Sequence, residues 1–350
     1  MSNSKEDYLV SLVVPCFNEH ETVETFVKTV DEKLSSIRDH IEIVFVDDGS
    51  KDDTAKIIDS LRQKDDRISL IRLSRNFGKE AAMSAALDLV QGDAMIMMDV
   101  DLQDPPELVL DFIKCWREEG VDNVYGVRVD RSKDTEAKRV TSGGFYYVFN
   151  KLSSRVKIPS NAGDFRLIDR KIIDTLRQLP ERNRFMKGLF AWPGFVSKGI
   201  GYQRPERVAG TTKWNYWKLW NFALDGISGF SSLPLRMWSY LGGVIGLLAI
   251  IYMIFIFLKT LITGVDVPGY ASIMTAVLFL GSVQLISIGV LGEYLGRLGQ
   301  EVKGRPVYVV SEIKGRLSSV VKKGISVTAV GVTCNEDGDD KTLDTLKSDK

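Results

Sequence analysis

Met95-Ile96-Met97-Met98-Asp99-Val100-Asp101-Leu102-Gln103-Asp104 joins an uncharged apolar run to three carboxylates within a chain of 350 residues. The apolar run predicts a strand buried on both faces, as in a parallel sheet covered by helices. In an extended chain residues i and i+2 share a face, so Asp99 and Asp101 are expected to converge just past the strand. Two carboxylates held that close repel each other unless a cation lies between them. Hard oxygen donors suit Mg2+ or Mn2+, and Mg2+ typically takes one or two carboxylates plus phosphate oxygens. By itself an Asp-x-Asp is more often a solvated acidic turn, here one capping a helix that begins near Pro105-Pro106-Glu107. The surrounding chain favours the metal reading.

Upstream, strand and helix patterns alternate. Leu9–Pro15 reads as a strand, and Glu21–Leu34 as a helix with Val23, Phe26, Val27, Val30 and Leu34 on one face. Ile41–Val46 is a second strand, followed by Asp47-Asp48-Gly49-Ser50, with Ser50 predicted to cap a helix carrying Ala55, Ile58 and Leu61. Ile68–Leu73, a helix from Lys79 and the Met95–Met98 strand continue the series. Such alternation predicts an α/β fold with a mostly parallel sheet covered on both sides. Ligands bind such sheets outside the carboxyl ends of the strands. Pro15-Cys16-Phe17-Asn18-Glu19, Asp47-Asp48-Gly49-Ser50 and Asp99-Val100-Asp101 all follow strands, so their acids are expected to face one crevice. No GxGxxG follows the first strand and there is no GxxxxGK[ST], which excludes a standard dinucleotide site and a P-loop. In Asn76-Phe77-Gly78-Lys79, Lys79 could meet a phosphate at a helix start; a solvated lysine is an equal alternative.

The formal net charge is zero, with charge concentrated before residue 236. Tyr240–Leu258 and Ala271–Gly292, 19 and 22 residues long, contain no charge. About 20 apolar residues span a bilayer core, so two transmembrane helices are expected. Lys213, Lys218 and Arg236 precede the first span; Arg297, Lys303, Arg305, Lys314 and Arg316 follow the second. The positive-inside rule then places both ends in the cytoplasm. No apolar segment lies at the N-terminus, so no cleaved signal peptide is expected. Trp214, Tyr216, Trp217 and Trp220 interleave with Lys213 and Lys218, a composition suited to lipid headgroups. Nucleic-acid stacking gains little weight beside two spans, and no nucleic-acid partner is expected. Cys16, Cys115 and Cys334 lack CxxC spacing and suit a reducing compartment.

Together these motifs resemble the family-2 glycosyltransferases of the GT-A fold, and more narrowly the polyprenyl-phosphate glycosyltransferases. That group includes the dolichol-phosphate mannose synthases and the bactoprenol glucosyltransferases. The resemblance runs over roughly residues 8–312 and is carried by the motifs above with Arg75-Asn76-Phe77-Gly78-Lys79-Glu80, Gly163-Asp164-Phe165-Arg166-Leu167, Glu206–Lys213 and Leu291–Arg297. Gly163–Leu167, Pro180-Glu181-Arg182-Asn183 and the paired spans are most similar to the bactoprenol glucosyltransferase branch.

The resemblance implies a Rossmann-like GT-A domain over residues 1–210, interfacial helices over 211–236, a transmembrane hairpin over 237–298 and a cytoplasmic segment, 299–350, ending in a disordered tail. It implies that Pro15, Glu19, Asp47, Asp48, Gly78, Lys79, Asp99 and Gln103 bind a sugar nucleotide. Asp99 and Asp101 would hold Mg2+ or Mn2+, with Asp101 and Asp164 as the catalytic carboxylates. Arg128, Arg139, Arg207 and Lys213 would hold the acceptor phosphate, and Thr141 and Ser142 are alternative matches for a serine of the acceptor helix. The implied reaction is inverting transfer of a hexose to undecaprenyl phosphate at the cytoplasmic face of a bacterial inner membrane. Glucose from UDP-glucose ranks first; mannose from GDP-mannose, a UDP-aminoarabinose derivative and a non-catalytic nucleotide-binding scaffold are the alternatives. A homo-oligomer, a downstream flippase and a second glycosyltransferase are the further partners such a role implies. A lipid monophosphate is already anionic near neutral pH and needs cations more than a base, which suits arginine forks.

Overall fold

The computed structural model describes residues 7–129, 150–151, 156–159, 162–182, 184–203 and 269–318, with scattered positions between 240 and 262. Arg139, Thr141, Ser142, Arg207, Lys213 and the 211–236 aromatics lie outside the described residues.

Four strands form the parallel centre: β1 (Val10–Cys16), β2 (Ile41–Asp47), β3 (Ile68–Leu73) and β4 (Ala94–Met97). Between them run α1 (Val23–Lys33), α2 (Thr54–Arg62) and α3 (Lys79–Leu89). After α4 (Leu108–Glu118) come β5 (Asn123–Arg128), β6 (Ala162–Asp169), α5 (Arg170–Arg177), α6 (Met186–Ala191) and β7 (Ser197–Tyr202). The long helix α7 (Tyr270–Val302) precedes the last strand, β8 (Val310–Lys314). One eight-stranded sheet results, ordered β7-β5-β6-β4-β1-β2-β3-β8.

The sheet is mixed. β1 pairs in parallel with β2 and β4, β2 with β3, and β5 with β7. β6 runs antiparallel to β4 and β5, and β8 runs antiparallel to β3. Alternation of side chains into two cores explains why the central strands are apolar on both faces, with few interruptions such as Ser11, Glu42 and Ser69. Leu12, Val14, Ile43, Phe45 and Ile96 enter one core with α1, α2 and α4. Val13, Val44, Val46, Met95 and Met97 enter a second with α3, α5 and α6. Each such side chain, fully buried, contributes about 1.5–3 kcal/mol, so both faces need their helices. α3 is buried nearly all round, and its alanines let it lie close to the sheet.

Among the described residues one helix is long and apolar enough to cross a membrane, over Phe279–Val302, with mean hydropathy 1.3 and none of it buried. It overlaps the second predicted span. All described positions between 240 and 262 are helical, but they form no continuous described element.

Beyond α7 the chain returns to the catalytic sheet, a connection the reading of 299–350 as a separate segment did not include. β8 caps the β3 edge, and Tyr308 donates to Asp88 Oδ2 at 2.6 Å. At the foot of α7, both Glu301 carboxylate oxygens accept from the Arg182 amide at 3.1 Å.

Candidate active site

The segments that follow β1, β2 and β4, where the three acidic motifs lie, meet at the carboxyl ends of those strands. They are laced together by side-chain bonds between loops distant in sequence. Asn18, at φ 53°, donates its amide to Ser50 Oγ at 2.9 Å, and its Oδ1 accepts from the Lys51 amide at 2.9 Å. The Glu19 amide donates to Thr54 Oγ1 at 2.9 Å. Ser50 is therefore a loop tie and not a helix cap; α2 starts later, with Asp53 at the N-cap.

Asp47 is fully buried, accepts from the Ser50 amide at 2.9 Å and pairs with Arg72 Nε at 3.2 Å. Asp48 spends both oxygens on the next loop, accepting from the Phe77 amide at 2.7 Å and the Gly78 amide at 2.9 Å. Burial raises the Asp48 pKa, against the lowering effect of those two amides. Gly49, between these two loops, cannot carry a side chain: its φ is 69° and a Cβ would lie 2.4 Å from the Arg75 carbonyl carbon. Gly78, at φ 104°, turns the chain into α3.

That turn delivers Lys79 to the centre of the crevice. Its ammonium lies 2.6 Å from Asp99 Oδ1 and 3.0 Å from Asp164 Oδ2. Burial alone would lower the lysine's pKa, but Asp164 and Asp99 override it and push it above the usual range. Burial works in the opposite sense on Asp164, where Lys79 and Lys187 hold the carboxyl well below the ordinary range. Asp164 Oδ1 is buried without a hydrogen-bond partner among the described residues. Lys79 is thus held between two carboxylates with its side chain 31% exposed, and Asp164 stands opposite Asp99.

The strand ends at Met97, so Asp99 and Asp101 lie beyond it, Asp101 within the turn that starts at Val100. The turn folds on itself: the Gln103 amide donates to Asp101 Oδ1 at 3.2 Å, and Leu102 takes φ 55°. A positive φ at a leucine is strained and is characteristic of functional turns. Asp104, at the end of the turn, is buried and accepts from the Tyr202 hydroxyl at 2.5 Å. Arg128 Nε in turn reaches the Tyr202 oxygen at 3.5 Å, and a Cβ on Gly163 would lie 3.7 Å from Arg128 Nη2. Arg128 therefore borders both the Asp104 turn and the Gly163–Asp164 segment.

No group of three or more His, Cys, Asp or Glu among the described residues could hold a metal ion. Asp99 and Asp101 supply two hard carboxylates, which fits a cation that takes its remaining ligands from a diphosphate. Pro15 lies at the carboxyl end of β1, and Glu19, Gly78 and Gln103 lie on the loops that follow β1, β3 and β4.

Two residues missing from the sequence-based set matter here. Glu80, next to Lys79, accepts from the Met186 amide at 3.1 Å; burial, then Asp164, pushes its pKa up to about 8. Tyr202 lies nearly 40 residues beyond Asp164 in a segment with no motif, and only its β7 pairing with β5 brings it beside Arg128. No local pattern signals either role.

Carboxylates and a paired lysine therefore meet at the carboxyl edge of the sheet. The glycosyl transferase family 2 profile matches residues 11–177, and a second profile, the GtrB C-terminal hairpin, matches residues 233–298. The chain is 52% identical over 306 residues to a protein described as uncharacterized glycosyltransferase sll0501 from Synechocystis sp., covering 87% of this chain and 96% of that one. It is 48% identical over 305 residues to the prophage bactoprenol glucosyl transferase homolog of Escherichia coli, and equally so to the bactoprenol glucosyl transferase of Shigella phage SfV, covering 87% of this chain and 99% of each relative. Among solved structures, the mannosyltransferase PcManGT from Pyrobaculum calidifontis, with GDP-Man and Mn2+, is 15% identical at a TM-score of 0.43, covering 93% of this chain and 81% of that one. The chain belongs to glycosyl transferase family 2, with the GT-A fold, and is a glycosyltransferase.

Proposed function

We propose that the enzyme transfers glucose from UDP-glucose to undecaprenyl phosphate, with inversion at the anomeric carbon. The observation that carries this reading is the Lys79 ammonium within hydrogen-bond reach of both Asp99 and Asp164, with Arg128 beside Gly163 on the same side. Donor-binding acids and an acceptor-side arginine thereby border one crevice. Identity to bactoprenol glucosyl transferases over 87% of the chain supports the lipid acceptor and the glucosyl group.

In this reading Pro15, Glu19, Asp47 and Asp48 form the base and ribose end, the buried Asp47 and Asp48 through the loops they hold. Asp99 and Asp101 hold Mg2+ or Mn2+, which when bound neutralises charge on the departing diphosphate. Lys79 meets the diphosphate from the opposite side. Arg128, with Arg139, Arg207 and Lys213, draws the lipid phosphate up to the sugar through charge-assisted bonds. Asp164 orients the acceptor. Held ionised by Lys79, it is a weak base, and a phosphate nucleophile needs none. A single in-line displacement at an α-linked donor gives a β-linked lipid phosphate.

The hairpin over residues 233–298 serves as membrane anchor, with both termini cytoplasmic, and the lipid acceptor is the reason for it. The β8 return strand and the Glu301–Arg182 contact support a catalytic domain held against the foot of α7. The test is incubation of the purified enzyme with undecaprenyl phosphate and UDP-glucose, GDP-mannose or a UDP-aminoarabinose donor, followed by NMR of the lipid product. A β-glucosyl phosphate is expected; an α-anomer would refute inversion, and preference for another donor would refute the sugar assignment.

A further inference from the structure

Lys79 pairs with Asp99, one of the two carboxylates assigned to a divalent cation, and with Asp164. Lys79 Nζ satisfies Asp99 Oδ1 at 2.6 Å and Asp164 Oδ2 at 3.0 Å, so the charge of Asp99 is already compensated without metal. The lysine is not there by the accident of a flexible stem. The turn that delivers it is pinned by both oxygens of Asp48 through the Phe77 and Gly78 amides, and Gly78 adopts a φ of 104° to enter the helix. Asp164 keeps one buried oxygen without a partner, so its site is built to receive another donor besides the ammonium.

We propose that Lys79 is a resident counter-ion that keeps divalent metal out of the empty site and releases Asp99 only when the sugar-nucleotide diphosphate arrives. The diphosphate offers the ammonium a stronger anionic partner and offers the metal its missing oxygen ligands. Lys79 then moves from Asp99 to the phosphate while Asp164 remains its second anchor. Metal and nucleotide consequently enter together, and metal alone binds weakly. This rests on the assignment of Asp99 and Asp101 as metal ligands.

The test is Mn2+ binding to the full-length enzyme in detergent, read from the EPR signal of free Mn2+, with no sugar donor or lipid present. Lys79→Gln should bind Mn2+ alone about ten- to a hundredfold more tightly than the wild type, the range one charge-assisted hydrogen bond represents. Lys79→Arg, which keeps the charge, should stay as weak as the wild type. Asp99→Asn added to Lys79→Gln should erase the gain. Adding UDP should raise Mn2+ affinity far more in the wild type than in Lys79→Gln, because only the wild type has a cation to move. Lys79→Met provides the same neutralisation should Lys79→Gln fail to melt cooperatively. Equal Mn2+ affinity in the wild type and the neutral variants, with Asp99→Asn still abolishing binding, would overturn the counter-ion role and leave the metal site intact. Absence of Mn2+ binding in every variant, with and without UDP, would overturn the metal site and the proposal with it.

Discussion

Tyr202 donates its hydroxyl hydrogen to Asp104 at 2.5 Å, and Asp104 ends the turn that begins at Asp99. The same hydroxyl oxygen accepts from Arg128 Nε at 3.5 Å. One phenol therefore ties the Asp99–Asp104 segment to Arg128. Burial, and then the Asp104 charge, raises its pKa, so it stays a donor throughout the physiological range.

Tyr202→Phe should act on the acceptor. Without the hydroxyl, Arg128 loses one fixed neighbour, and the acceptor KM should rise about five- to tenfold, equivalent to about 1 kcal/mol. Arg128→Ala should raise it by one to two orders of magnitude, since charge-assisted bonds contribute about 1.5–3 kcal/mol each. UDP affinity, measured by calorimetry, should change little in either variant. A collapse of UDP affinity with an unchanged acceptor KM would place Arg128 in the donor site.

Asp48→Asn tests the frame beneath Lys79. An asparagine has one acceptor oxygen where Asp48 offers two to the Phe77 and Gly78 amides. A backbone donor loses its partner, at a cost of about 1–3 kcal/mol. The variant should melt several degrees lower and lose most of its turnover, because the turn that delivers Lys79 loosens. Unchanged melting and activity would show that the turn does not depend on Asp48.

The sequence carries the parallel centre of the fold and the outline of the crevice, because buried strands and the acids after them are local patterns. The strands around Leu12, Ile43 and Ile96 announce themselves by being mostly apolar on both faces. The rest depends on long-range pairing. β6 and β8 run antiparallel against β4 and β3, with no signal in their own residues to say so. β4 stops two residues before Asp99, so the i, i+2 argument for Asp99 and Asp101 concerns residues beyond the strand. Lys79 is ambiguous in sequence because its partners, Asp99 and Asp164, lie 20 and 85 residues away; the ion pairs alone distinguish a paired lysine from a free one at a helix start. Ser50 shows the converse, a good capping residue drawn into a loop tie by Asn18.

Glu80 gives the fold a pH dependence of defined sign. Its carboxyl is raised from 4.5 to about 8 in the folded chain, so the native state holds a proton that the unfolded state has released. The stabilisation is complete below pH 4.5 and is lost as pH rises through about 8. Glu80→Gln, which mimics the protonated side chain and keeps an oxygen for the Met186 amide, should remove this decline. Melting temperatures at pH 6 and pH 9 should show the variant gaining on the wild type at the higher pH. Parallel curves would mean that Glu80 is ionised throughout.

The hairpin and its orientation are tested by labelling from outside intact cells, in a background where Cys16, Cys115 and Cys334 are replaced. A cysteine at Asp266 should react with a membrane-impermeant maleimide, and one at Lys350 should not. The reverse pattern would put the crevice on the wrong side of the membrane for a cytoplasmic sugar nucleotide.

The most direct measurement is transfer of radiolabel from UDP-glucose into undecaprenyl phosphate by the purified enzyme in detergent with Mg2+ or Mn2+. Label should appear in the lipid fraction, depend on added lipid and metal, disappear in EDTA and be nearly absent in Asp99→Asn. Full lipid labelling in EDTA, or release of free glucose with no labelled lipid, would contradict the account.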